Sequence, residues 1–206
     1  LKLLNLLYPC QCSRKDIFER QADHGVYDGH CLNHSVNQRN VTSLRLKIPQ
    51  TTVSFIDAIQ GRTEQELAKH VGDFVMFRKD QIYAYHLAVI LDDNAQGITE
   101  ILRGYDLLDS TYQQIHLQRL LKVHTPHYAH IPVINGADGA KLSKQTFADD
   151  VSFLPIGQTL VRVFEHLHLK PPTELNESSP NEILKWGINN WSLKRIPSKT
   201  CMSLRH

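Results

Sequence analysis

Three of the four cysteines in this 206-residue chain stand close together, Cys10, Cys12 and Cys31, while Cys201 stands alone. Thiolate sulfur is a good ligand for Zn²⁺, which takes four tetrahedral ligands with Zn–S near about 2.3 Å. A Cys-X-Cys pair and one distal cysteine supply three of those four. Four cysteines are too few for a disulfide framework in a chain this long, so the clustering points to a metal in a reducing compartment. Imidazole is the common complement, which on chemistry alone offers His24, His30 or His34 as the fourth ligand. The plain alternative is a buried cluster of reduced thiols. Far downstream, Lys141-Leu142-Ser143-Lys144-Gln145 carries two ammonium groups separated by two residues. That pattern suits a departing pyrophosphate, although a lysine pair in a loop is also an ordinary solvated surface.

The elements that must position these groups follow from the apolar pattern. Leucines at 1, 3, 4, 6 and 7 have helical spacing and Pro9 stops it, so residues 1–8 read as the end of a helix. Between Pro9 and Asn40 the composition turns to Cys, His, Asp, Gly and Asn, with SRKDIFERQ (13–21) a short amphipathic helix and YDGHC (27–31) a tight turn around Gly29. Residues 41–59 alternate as strands do, and TEQELAKH (63–70) reads as a short surface helix.

From residue 73 the rhythm is that of an α/β sheet: DFVMFRKD a strand, YAYHLAVILDD an apolar run ending in two acids, GITEILRG a second buried strand. Asp109, Ser110 and Thr111 offer N-caps to a helix whose Ile115, Leu117, Leu120 and Leu121 share a face. HYAHIPVI (127–134) returns as a strand, followed by the loop NGADGAKLSKQ (135–145), where α/β folds place ligand-binding residues. Residues 155–206 read as helical, broken at KPPTELNESSP and resumed at NEILKWGINNW. The expected order is therefore 1–8 as a helix end, 9–72 as a metal-bearing insertion, 73–150 as an α/β domain with the lysine loop, and 151–206 as a helical C-terminal region.

A hydrophobic fraction of 41%, a charged fraction of 21% and a mean hydropathy of −0.33 exclude a disordered chain. No apolar run approaches the roughly 20 residues that span a bilayer. A net charge of +2 means that any nucleic-acid contact comes from a local basic surface. The opening LKLLNLLYP has no Met and no secretory cleavage pattern, and reads as a helix whose start lies upstream. The chain is thus expected to be the C-terminal part of a longer protein.

Read in order, LAVILDD, QGITEILRGYDLLDST, QIHLQRLL and KLSKQ resemble the class I aminoacyl-tRNA synthetases of the glutamyl group, with KLSKQ standing as the KMSKS-type loop. Within that group YAYHLAVILDDNAQGITEILRGYDLLDST, the Cys-X-Cys followed by YDGHC, and EILKWGINNWSLKRIP are similar to the glutamyl-queuosine tRNA(Asp) synthetase family, short paralogues without an anticodon-binding domain. The resemblance implies the second half of a Rossmann-type nucleotide-binding fold with a zinc-bearing insertion. It implies zinc ligands Cys10, Cys12, Tyr27 and Cys31, promoting Tyr27 over the histidines. It implies glutamate contacts at Tyr85 and Arg103, where a guanidinium can pair bidentately with a carboxylate. It makes Lys144 the ATP-binding lysine, with Lys141 its helper in catalysis.

The implied substrates are L-glutamate, ATP with Mg²⁺, and tRNA(Asp) carrying queuosine. The setting is cytoplasmic, without a membrane, and the full-length protein is expected to be a monomer. A HIGH-type motif would lie upstream of Leu1, so the 206 residues alone are expected to be inactive. Two alternatives stand beside this: a piece of an ordinary glutamyl-tRNA synthetase, and a non-catalytic zinc-dependent RNA-binding module. His124, His127 and His130 lack ligand spacing and read as scattered surface histidines. Asp92-Asp93 could bind Mg²⁺ but reads as a turn or helix start. Trp186 and Trp191, with Leu184 and Ile188, read as helix-packing residues.

Overall fold

Proline at position 9 decides the first element. The residue before a proline is pushed toward extended backbone, and proline itself lacks an N–H and is tolerated in an edge strand. In the computed structural model, which describes residues 1, 4–20, 26–36, 42–136, 139, 141–142 and 154–203, Leu7–Cys10 form strand β1, with a turn at Leu4 and Asn5 before it. The helix expected over 1–8 therefore gives way to a strand at its C-terminal end. What the leucine spacing could not show is the partner: β1 pairs antiparallel with β2 (Ser43–Leu46), Leu7 opposite Leu46 and Cys10 opposite Ser43. β2 in turn pairs antiparallel with β5 (Phe74–Phe77), with a register shift between Leu44 and Arg45.

Helix α1 (Arg14–Arg20) forms where expected, opened by a reciprocal cap: Asp16 N–H donates to Ser13 Oγ at 3.2 Å and Ser13 N–H donates to Asp16 Oδ2 at 2.7 Å. Helix α2 (His30–Asn33) follows Gly29, whose φ of 71° is the left-handed conformation that glycine adopts without penalty. Strand β3 (Thr52–Asp57) pairs with β4 (Gly61–Glu66), and α3 is only Leu67–His70. The helix expected over 63–70 thus divides. Thr63 and Gln65 are half-buried between exposed Arg62, Glu64 and Glu66, a strand's alternation beside a strand partner, and the helix begins only at the fully buried Leu67.

Helix α4 (Tyr85–Ala95) takes the apolar run, so Asp92 and Asp93 lie in its last turns and not at a helix start. Strand β6 (Glu100–Gly104) is present but is not buried, with Leu102 53% exposed. Helix α5 (Leu108–Leu121) starts earlier than its suggested caps because a 3-10 turn over Tyr105–Leu107 leads into it, which leaves Asp109, Ser110 and Thr111 inside the helix. Ile115 and Leu117 are fully buried, Leu120 and Leu121 half-buried. β7 (His127–Ile131) pairs with β6, and Pro132, without an N–H, separates it from β8 (Val133–Asn135).

The C-terminal region holds α6 (Ile156–His166) and α7 (Pro180–Asn190). Ser179 and Glu182 form a full capping box at the start of α7, with Pro180 at its first position. One element there escapes the helical reading: β9 (Cys201–Ser203) pairs parallel with β8, Val133 opposite Cys201. The described chain thus has mixed α/β content, with its strands in one three-stranded and three two-stranded sheets. No described helix is long and apolar enough to cross a membrane.

Two compact units result. The first comprises 1–55, 62–101 and 108–127, and buries Leu46, Leu67, Met76, Ile90, Ile115 and Leu117 completely. The second comprises 56–61, 102–107 and 128–206. Its helical core is Val161, Phe164, Leu169, Leu175 and Ile183, with Trp186 packed against it. Trp186 therefore packs as expected, while Trp191 is 40% and Ile188 77% exposed.

Candidate functional site

The cysteine cluster assembles entirely within the first unit. Cys10 ends β1, where Ser43 Oγ donates to its carbonyl at 3.0 Å. Cys12 precedes α1, and Cys31 sits in the single turn of α2. The segment at Tyr27 is brought against residue 72 by an isolated bridge, and only glycine fits there: a Cβ on Gly72 would stand 2.8 Å from the Tyr27 carbonyl oxygen. The three sulfur atoms lie within 4.8 Å of one another, Cys12 and Cys31 at 3.4 Å. Tyr8, Cys10, Tyr27 and Cys31 form a buried cluster flanked by Cys12, Ile17 and Val36.

The oxygen that accompanies these sulfurs is the Tyr27 hydroxyl. It lies 3.4 Å from Cys10 Sγ and 3.8 Å from Cys12 Sγ, and it accepts the Cys31 N–H at 2.8 Å. The rings of His30 and His34 stack on each other at 4.2 Å, and neither joins the group; His24 lies outside the described residues. Two guanidiniums reach the sulfurs: Arg45 Nε donates to Cys10 Sγ at 3.2 Å and Arg20 Nη2 to Cys12 Sγ at 3.3 Å. At Cys12 the Arg20 contact favours the thiolate, a smaller effect than the burial that opposes it.

Titration in the cluster is divided. Burial pushes the Cys31 thiol up, but hydrogen bonds from Tyr27, the Gln11 backbone and the neighbouring thiols outweigh it and bring it down to about 7. Burial, then the Cys31 contact, moves Cys12 the other way. Burial and the bonds to Cys10 and Cys31 hold the Tyr27 phenol well above its ordinary range. Three sulfurs and one hydroxyl oxygen, drawn together from separate elements with cationic support, fit the donor set of a tetrahedral Zn²⁺ site.

The remaining candidate residues are distributed between the two units. In the first, Tyr85 opens α4 with its side chain 64% exposed and its ring edge-on to His86. In the second, Arg103 on β6 is half-buried, its guanidinium carbon 4.9 Å from the centroid of the buried Tyr128 ring. Lys141 is placed by the return of its loop onto β8, where Leu142 N–H donates to the Ile134 carbonyl. Its ammonium lies 2.5 Å from Asp106 Oδ2, and both border an open cleft of about 560 Å³ that Gly104, Ile131, Val133 and Leu142 also line. Lys144 lies outside the described residues.

One constellation contradicts the sequence reading. His130 is no surface histidine: it is fully buried, with Nδ1 2.6 Å from Asp57 Oδ2. The Asp57 carboxylate also accepts the backbone N–H groups of Ile59, Gln60 and His130. Burial pushes this carboxyl up, yet the His130 ring and the three N–H groups together hold it below the ordinary carboxylate range. The signal available beforehand was the alternation of HYAHI, which places Tyr128 and His130 on one face of β7.

Residues 10–152 match the family described as tRNA synthetases class I (E and Q), catalytic domain. The chain is 43% identical over 192 residues to a protein of Ectopseudomonas mendocina named glutamyl-Q tRNA(Asp) synthetase, covering 93% of this chain and 64% of that one. It is 42% identical over 203 residues to a protein of the same name from Neisseria meningitidis serogroup C, covering 96% and 68%. The chain thus spans about two thirds of the length of these relatives. Among solved structures, glutamate-tRNA synthetase from Elizabethkingia anophelis superposes with a TM-score of 0.69 at 17% identity, over 98% of this chain and 48% of that one.

Proposed function

This chain belongs to the class I tRNA synthetases of the glutamyl and glutaminyl group, in the branch of the glutamyl-Q tRNA(Asp) synthetases, and from that membership we propose that the protein activates glutamate with ATP and transfers it to queuosine in the anticodon loop of tRNA(Asp). The observation that carries the proposal is the match to proteins of that name along nearly the whole chain. The family match at 10–152 contains every candidate site residue.

In the first step the glutamate carboxylate attacks the α-phosphorus of ATP, an anhydride to AMP forms, and the bond to pyrophosphate breaks. In the second the activated carboxyl passes to the queuosine base and AMP leaves. The chain's own residues bind, orient and neutralise. Arg103 pairs with a substrate carboxylate, supported by the Tyr128 ring beneath its guanidinium, and the exposed Tyr85 hydroxyl orients the amino acid. Lys144 and Lys141 offset charge on the departing pyrophosphate, Lys141 exchanging Asp106 for phosphate. Mg²⁺ accompanies the ATP.

Cys10, Cys12, Cys31 and Tyr27 would hold one structural Zn²⁺, which supplies a cross-link between β1, α2 and the Tyr27 segment. The insertion so held is proposed to face the tRNA. The order β6–α5–β7, two paired strands joined through a helix, supports the second half of a Rossmann-type fold. A cytoplasmic, monomeric protein belongs to the same proposal.

The test is transfer of labelled glutamate by the natural full-length protein. Queuosine-bearing tRNA(Asp) should accept it in an ATP-dependent reaction, and tRNA(Asp) lacking queuosine should not. The likeness to a glutamate-tRNA synthetase structure keeps one second reading in view, and equal charging of tRNA(Glu) at its 3′ end would select it.

A further inference from the structure

Arg45 is a buried cation with an unusual set of neighbours. It is 8% exposed in the centre of β2, and a guanidinium cannot shed its proton, so burial there demands an anionic or strongly polar counterpart. Nη1 donates to the Asp73 carbonyl at 2.7 Å, and Nε donates to Cys10 Sγ at 3.2 Å. The guanidinium carbon lies 3.9 Å from the centroid of the Tyr27 ring. Among the described residues no carboxylate forms an ion pair with it. The Asp73 carboxylate is engaged elsewhere, accepting the Tyr8 hydroxyl at 2.5 Å and the Ile48 N–H at 2.7 Å. Arg20, the other guanidinium at the sulfurs, differs because Asp28 already pairs with it at 2.7 Å.

Three thiolates around a divalent cation leave one net negative charge, and Arg45 brings one positive charge to the same buried cluster. Its planar fork can also do what a point charge cannot: one edge donates to Cys10 while the plane lies over the ring whose hydroxyl is 3.4 Å from that same sulfur. We propose that Arg45 is a positioning and charge-balancing residue of the metal centre, cancelling the charge of a three-thiolate Zn²⁺ site and holding the Tyr27 ring so that its hydroxyl oxygen faces the metal. The inference rests on the zinc reading above. It also explains why a strand otherwise occupied by Ser, Leu and Leu carries an arginine in its buried face.

The experiment compares the purified protein with Arg45→Met and Arg45→Lys, by Zn²⁺ competition against a chromophoric chelator and by visible absorption of the Co²⁺-loaded forms. Arg45→Met is expected to weaken Zn²⁺ binding by about 10–100-fold, the range for partners that orient metal ligands, and to alter the Co²⁺ spectrum in the same sense as Tyr27→Phe. Arg45→Lys keeps the charge without the fork, and should recover part of the affinity but not the spectrum. Wild-type affinity and spectrum in Arg45→Met overturn the inference. Should that variant fail to fold, Arg45→Lys decides alone: a wild-type affinity and spectrum there overturn it equally. A wild-type protein that takes up neither Zn²⁺ nor Co²⁺ removes the metal reading itself and this inference with it.

Discussion

The Nδ1 atom of His130 lies 2.6 Å from the Oδ2 atom of Asp57 with both side chains completely buried, although the two residues stand 73 apart in sequence. Gln60 adds to the junction by donating to the His130 carbonyl at 2.8 Å and the Lys199 carbonyl at 3.2 Å. The pair therefore pins the turn after β3 to β7 inside the second unit, on the strand that also carries Tyr128 under Arg103.

Breaking that pair leaves a buried polar group without its counterpart. Asp57→Ala should destabilise the protein by about 3–5 kcal/mol, read as a lower urea midpoint with an unchanged slope. Because the folded carboxyl is held below its unfolded value, its contribution is fully present above the unfolded value of about 3.9 and is lost as pH falls through the lower folded one. An Asp57→Ala variant as stable as the parent at neutral pH would remove the pair from the account of the fold.

His116 sets a second pH dependence with the same direction and a different window. It is buried in α5, its Nε2 has no hydrogen-bond partner among the described residues, and burial followed by the charge of Arg119 lowers its basicity. The unfolded chain then binds more protons than the folded one as pH drops below about 6.5, so stability falls with acidification in that range. His116→Leu should flatten this part of the stability–pH curve, and because it also removes an unpaired buried nitrogen it should cost little at neutral pH. A curve unchanged by the substitution would assign the effect to other groups.

Metal removal should act on folding directly. The purified protein is expected to carry one Zn²⁺, and free Zn²⁺ at a hundred times its Kd should stabilise it by about 2.7 kcal/mol, which a chelator abolishes. Cys31→Ser should weaken binding by more than the roughly 10–100-fold expected for outer partners. Tyr27→Phe should also weaken it, whereas His30→Ala and His34→Ala should not. Substoichiometric zinc by elemental analysis after metal-replete expression counts against the centre.

The proposed glutamate contact is tested at Arg103. In the full-length protein Arg103→Ala should raise the glutamate requirement far more than the ATP requirement, since loss of a charge-assisted hydrogen bond to a carboxylate costs about 1.5–3 kcal/mol. ATP–pyrophosphate exchange at varied glutamate measures it. An unchanged glutamate dependence would take Arg103 out of the amino-acid site.

Features that depend on residue type and near neighbours are legible without the fold. Cys10, Cys12 and Cys31 stand out by number and spacing as a group that could hold a metal, and their sulfurs lie within 4.8 Å of one another. The Ser179–Glu182 box and Pro180 start α7, and the Ser13–Asp16 cap starts α1, because each uses groups within one helical turn. KLSKQ with the run from Tyr83 to Thr111 was enough to place the chain in its family, which the comparisons show.

Features that need a partner distant in sequence are not legible that way. Leucine spacing at 1–7 could not disclose that β2 would draw Leu7–Cys10 into a strand, nor could TEQELAKH disclose β3 beside it. Three histidines near the thiols were chemically better candidates than a phenol. Only the close approach at Gly72 and the turn at Gly29 put the Tyr27 hydroxyl among the sulfurs and left His30 and His34 stacked on each other. Arg45 and His130 are the sharpest cases, since polar residues are expected at the surface and are buried only when the fold supplies hydrogen-bond partners. Those partners, Cys10 with the Asp73 carbonyl for one and Asp57 for the other, come from segments that local pattern cannot connect.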